Sequence, residues 1–138
     1  AYTVRSFNQP HRIRQRKANM KIGFIGVGGV AQPHLENVSQ MRGVQIGAVC
    51  DVMEERAQQV AAKYGATAYT SYREMLKRET LDACYVCVIP GAHGSIELDL
   101  AKARIPFYAE KPIHLDLNAC RKVIDEIEKN DLVNGVGY

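Results

Sequence analysis

From Met20 to its end, this chain alternates about six times between apolar stretches of strand length and helix-forming stretches. No other feature constrains the fold as strongly. Strands are expected at MKIGFI (20–25), VQIGAVC (44–50), 67–69, LDACYVCVI (81–89), PFYAE (106–110) and LVNGVGY (132–138). Helices are expected at 30–41, 53–64, 71–79, 93–104 and 115–130. Gly65 stops the second helix, and Ser71 with Glu74 forms a capping box for the third. Leu117, Val123, Ile124 and Ile127 make one apolar stripe on the fifth. The run at 81–89 is apolar throughout, as expected of a strand covered on both faces. Strands separated by helices predict an α/β protein: a doubly wound parallel sheet with right-handed crossovers, in a single domain over residues 20–138.

The first strand runs into Gly26-Val27-Gly28-Gly29-Val30-Ala31 before the first helix. This order fits G-x-G-x-x-A at a strand-to-helix turn. Gly26 permits the tight turn, Gly28 lets the backbone approach a pyrophosphate, and Ala31 keeps helix and strand close. Gly29 and Val30 open the helix, where free N–H groups and the helix dipole favour phosphate. Asp51 ends the second strand about 20 residues later, where a carboxylate can accept the adenosine ribose hydroxyls. The same residue can also cap the helix that follows. The pattern predicts a Rossmann-type dinucleotide site with NAD as cofactor. NADP is possible, because Arg56 could swing toward a 2′-phosphate.

Composition excludes several alternatives. At 138 residues with 46% hydrophobic content, the chain can bury one core. It has no apolar run near the ~20 residues that cross a membrane, and no membrane partner is expected. The net charge of +3 belongs to one end: residues 1–19 hold five basic and no acidic groups, leaving thirteen basic and fifteen acidic beyond them. This leader has no hydrophobic period and is expected to be a disordered basic segment or a tag. It lacks the aromatic interleaving of a nucleic-acid arm, so no nucleic-acid partner is expected. Cys84 and Cys87 form C-x-x-C, but in a strand a spacing of three puts them on opposite faces. No second ligand pair has zinc-like spacing. Four reduced thiols, no metal and a cytoplasmic location are the expectation.

Two further stretches narrow the function. In VCVIPGAHGSIELDLAKARIPFYAEKPI (86–113), the fourth strand ends at Pro90, with His93 three residues on, and the fifth ends in Glu110-Lys111-Pro112. With the glycine loop, Asp51, KYGATAYTSYREML and LDACYVCVIP, these resemble the Gfo/Idh/MocA oxidoreductases, relatives of glucose-fructose oxidoreductase and inositol dehydrogenase. The resemblance spans 20–138. It implies hydride transfer between a nicotinamide and a sugar, polyol or related small carbonyl compound, with Lys111 as catalytic residue. Glu110 would lie near the nicotinamide ribose, Pro112 would shape the turn, and Ile89 and Pro90 would wall the cofactor. His93 either approaches the cofactor or caps the next helix. His34 reads as a packing or surface residue.

The family's second α/β domain, which builds most of its substrate pocket, is absent from these residues by this reading. The chain is then expected to bind cofactor but to be inactive alone, and the full-length protein to be a homo-oligomer. The alternative is a stand-alone dinucleotide-binding module or NAD-sensing regulator, for which a retained lysine has no use.

Overall fold

A computed structural model describes residues 19–138; the expectations for residues 1–18 lie outside the described residues. The elements are β1 (Met20–Ile25), α1 (Ala31–Ser39), β2 (Val44–Cys50), α2 (Glu54–Tyr64), β3 (Thr67–Tyr69), α3 (Tyr72–Arg78), β4 (Ala83–Val86), α4 (Ser95–Lys102), β5 (Phe107–Glu110), α5 (Leu117–Lys129) and β6 (Asn134–Gly137). Among the described residues they form one six-stranded sheet in the order β3-β2-β1-β4-β5-β6. Every pairing is parallel, from Met20 opposite Val44 in β1–β2 to Glu110 opposite Gly137 in β5–β6. The order reverses between β1 and β4, and that switch point opens a crevice at the strand carboxyl ends.

Each sheet face carries its own core. Ala31, Leu35 and Val38 of α1 and Val60 and Ala61 of α2 pack on Ile22, Phe24, Ile46 and Val49. On the opposite face Met75 of α3, Ile96 and Leu100 of α4 and Val123 of α5 pack on Ile25, Ala48, Val86 and Phe107. Fully burying one such large side chain contributes about 1.5–3 kcal/mol. Cys84 and Cys87 fall into opposite cores, as their spacing predicts. All four thiols are free, and burial pushes Cys84 and Cys87 up to about 12. No described helix is long and apolar enough to cross a membrane.

Local signals in the sequence work as expected at two helix ends. Gly65 ends α2 in the left-handed region at φ 67°, and the Ser71 hydroxyl accepts from Glu74 N at 3.4 Å. Three expectations are corrected. The fourth strand is short, and the chain leaves it for a single 3-10 turn at Pro90–Ala92. A proline lacks the N–H that a ladder needs, and α4 starts at Ser95 rather than at His93. On α5, Val123 is buried and Ile127 packs on the core, but Leu117 is 76% and Ile124 47% exposed. The last two lie seven residues apart, on a stripe turned away from the sheet.

Candidate functional site

A cavity of about 850 Å³ lies over the carboxyl ends of β1, β2, β4 and β5. That is within the range of a cofactor site. Its floor includes Ile25, Cys50 and Cys87 at the strand ends. Gly26, Gly28, Gly29 and Val30 line one part of it, Asp51, Val52 and Arg56 another, and Ile89, Pro90, Glu110 and Lys111 the far side.

The glycine loop is shaped for an anion. Gly26 sits at φ 80°, and a Cβ there would collide with the Cys87 carbonyl of the neighbouring strand end. At Gly28 a Cβ would meet only Arg56 Nη1 at 3.7 Å, and at Gly29 nothing within 4 Å, so the backbone is open to a ligand. Ala31 N and Gln32 N bond back to the carbonyls of Gly28 and Gly29. The amides of Gly28, Gly29 and Val30 have no acceptor among the described residues. They stand at the start of α1, where the dipole also favours negative charge. Pro33 falls in the first turn, where a missing N–H costs no helix bond. Ala31 lies outside the cavity wall, fully buried against the sheet, as its role of close packing requires.

Asp51 joins two loops. Its Oδ2 accepts from Val27 N at 3.1 Å and its Oδ1 from Met53 N at 3.0 Å. Arg56 Nη1 lies 3.3 and 3.4 Å from the two oxygens, with a guanidinium that is 42% exposed. Asp51 therefore orients the turn before α2, whose N-cap is Met53, and still borders the cavity.

At the far side Lys111 is exposed, and its ammonium has no hydrogen-bond or ion-pair partner among the described residues. The Lys111–Pro112 peptide is cis. Glu110 caps its neighbour, with Oε2 accepting from Lys111 N at 3.3 Å. Its Oε1 accepts from His34 Nε2 at 2.9 Å, and this bond is the main reason that the carboxyl is held below the usual carboxylate range.

His93 corrects an expectation. Its ring is 2% exposed and lies outside the cavity wall. Nε2 donates to the Val88 carbonyl at 3.1 Å, and Nδ1 is hydrogen-bonded to Glu97 Oε1 at 2.5 Å. Glu97, fully buried, also accepts from Gly94 N at 2.6 Å. The pair braces the 88–94 segment from behind, so Ile89 and Pro90 reach the cavity and His93 does not.

Sequence reasoning missed Val52, Thr70, Ser71, Tyr72 and Ser95, which complete the wall. Apart from Ser71 in its capping box they carry no motif; their common signal is that each follows a strand end or starts a helix. It also missed His34, although positions 31, 34, 35 and 38 form the stripe that turns toward the sheet. Among the described residues no cluster of His, Cys, Asp or Glu could hold a metal ion.

Comparison with known proteins agrees with this geometry. Residues 20–138 match the Gfo/Idh/MocA oxidoreductase family's NAD-binding Rossmann fold. The chain is 31% identical over 120 residues to a myo-inositol 2-dehydrogenase from Thermotoga maritima, covering 86% of this chain and 36% of that protein. The crystal structure of a probable dehydrogenase from the same organism superposes with a TM-score of 0.80 at 30% identity, over 86% of this chain and 36% of that one. A WlbA dehydrogenase from Chromobacterium violaceum, crystallised with NADH and UDP-GlcNAcA, shares the fold at a TM-score of 0.80 and 18% identity, over 88% of this chain and 36% of its own. The chain spans about a third of the length of these relatives. With its glycine loop, acidic second strand end and Glu-Lys-Pro turn set around one crevice, the chain belongs to the Gfo/Idh/MocA oxidoreductase family, as its NAD-binding Rossmann domain.

Proposed function

We propose that this chain is the cofactor-binding part of a dehydrogenase that moves a hydride between NAD and a sugar, inositol or related polyol. One observation carries the reading: one cavity joins an open glycine loop at a helix start to a lysine that has no partner among the described residues. Three strand spacings separate β2 from β5, about 14 Å, which suits an extended dinucleotide. The adenosine ribose then lies at Asp51, the pyrophosphate on the amides of Gly28 to Val30, and the nicotinamide half over β4 and β5. Arg56 covers the adenosine side, and Ile89 and Pro90 hold the ring in an apolar wall. Glu110 faces the nicotinamide ribose.

NAD supplies the hydride acceptor. The protein has to orient the substrate carbon and handle the proton of its hydroxyl. Lys111 stands where an amine reaches both the nicotinamide end and the cavity mouth. Its ammonium polarises a carbonyl oxygen in reduction, and its neutral form takes the hydroxyl proton in oxidation. The names of the inositol dehydrogenase relatives support a polyol, and a further domain would complete the substrate pocket.

The test is NADH formation from a panel of inositols and sugars by the full-length protein and by Lys111→Met. Turnover should fall about 100- to 1000-fold, with NADH affinity within about threefold. Equal turnover in the variant removes Lys111 from the chemistry, and absent NADH binding removes the reading altogether.

A further inference from the structure

We propose that His34 is a positioning residue for the reactive end of the cavity. From the helix that receives the pyrophosphate, it fixes the Glu110 carboxylate beside Lys111. This inference rests on the function proposed above.

His34 and Glu110 are 76 residues apart in sequence and meet across two elements, α1 and β5. The side chains are 25% and 16% exposed, so the bond is largely shielded from water. Glu110 uses its two oxygens for different tasks. Oε1 accepts from His34 Nε2 at 2.9 Å and, at the longer distance of 3.5 Å, from the Tyr108 hydroxyl, while Oε2 accepts from the Lys111 amide. A carboxylate gripped at one oxygen cannot rotate away from the other contact. The orientation of the Glu110-Lys111 turn therefore depends on a ring carried by α1.

The surroundings hold that ring in one place. Its centroid lies 5.4 Å from the Tyr85 ring and 5.2 Å from the Tyr108 ring, both tilted. Tyr85 itself stacks on buried Phe24 at 4.8 Å. The titratable groups around Glu110 are His34 from α1, Cys87 from beyond β4, Tyr108 from its own strand and Lys111 after it. The adjoining strand β6 presents Gly137, where a Cβ would collide with the Tyr108 hydroxyl and come within 3.1 Å of Glu110 Oε1. Space for this carboxylate is thus kept by a glycine on the adjoining strand. Packing alone needs only a ring at position 34; the bond to Glu110 needs a nitrogen donor. That distinction makes the inference testable.

Calorimetric titration of the chain with NADH and with ADP separates the two halves of the site, since ADP does not reach β5. His34→Phe keeps the ring and removes the donor. It should weaken NADH about fivefold to tenfold and leave ADP within about twofold. His34→Gln restores an N–H donor and should recover NADH affinity. Loss of the bond also releases the carboxyl toward its ordinary range, so the acid-side fall in NADH affinity should begin at higher pH in His34→Phe than in the wild type. The inference is overturned if NADH binds the Phe variant as well as the wild type, if NADH and ADP weaken together, or if Gln fails to recover. A wild-type chain that binds ADP but not NADH, or neither, refutes the proposed function first, and this inference with it.

Discussion

Two histidine–carboxylate pairs flank the cavity, and they are built in opposite ways. His93 and Glu97 are four residues apart, the first just before the N-cap of α4 and the second in its first turn, with side chains wholly sealed. Every polar atom in that pair has a partner: the Val88 carbonyl, the Gly94 amide and each other. His34 and Glu110 join distant elements and keep some contact with solvent, and Glu110 itself lines the cavity. A sealed pair can only brace backbone, because neither side chain can leave its partner without stranding a polar group away from water. A half-open pair can be strained, titrated or displaced by a ligand at little cost. The same two residue types thus provide scaffold on one side and adjustment on the other.

The largest effect is expected from cutting the sealed pair. Glu97→Leu leaves His93 Nδ1 and the Gly94 amide without their hydrogen-bond partner, and should destabilise the chain by about 3–5 kcal/mol, read as a drop of roughly 10 °C or more in Tm. A loss below about 1 kcal/mol would mean that the pair braces nothing. Replacing both residues by leucine should cost less than Glu97→Leu alone, about 1–2 kcal/mol, because no orphan remains. Strictly additive losses would contradict the coupling.

The open pair should behave in reverse. Glu110→Gln is expected to keep Tm within about 3 °C yet weaken NADH roughly tenfold. If it unfolds the chain instead, the contrast between the pairs collapses. The smallest effect is on stability against pH. Hydrogen bonding to His34 lowers the folded carboxyl of Glu110. Its contribution is therefore present above the unfolded value of about 4.3 and is lost as pH falls through the lower folded value. Wild type and Glu110→Gln should differ by a constant margin from neutral pH to about 5, and converge only in more acid solution. Chemical denaturation at a series of pH values reads this directly.

How much of this could be read from the residues follows from where the constraint lies. The alternation of strands and helices, Gly26 against β4, Gly65 at its helix end and the opposed faces of Cys84 and Cys87 all follow from local rules, and the structure bears them out. Lys111 lines the cavity, and only the family resemblance carried by its Glu-Lys-Pro turn singled it out in the sequence. His93 was left open between the cofactor and the next helix, because its position in the sequence fits both; only the fold shows Glu97 and the Val88 carbonyl closing over it. His34 was hidden for the opposite reason. Its partner is contributed by a strand 76 residues away, and no spacing rule connects them.

The account's central claim is that one dinucleotide spans the cavity from Asp51 to Lys111. Amide chemical shifts of the 15N-labelled chain, followed during titration with ADP and then with NADH, test it most directly. ADP should move the amides of Val27 to Ala31 and of Asp51 to Met53, and NADH should move these together with those of Ile89, Glu110 and Lys111. Shifts with NADH that spare Glu110 and Lys111, or that spare the glycine loop, would contradict it.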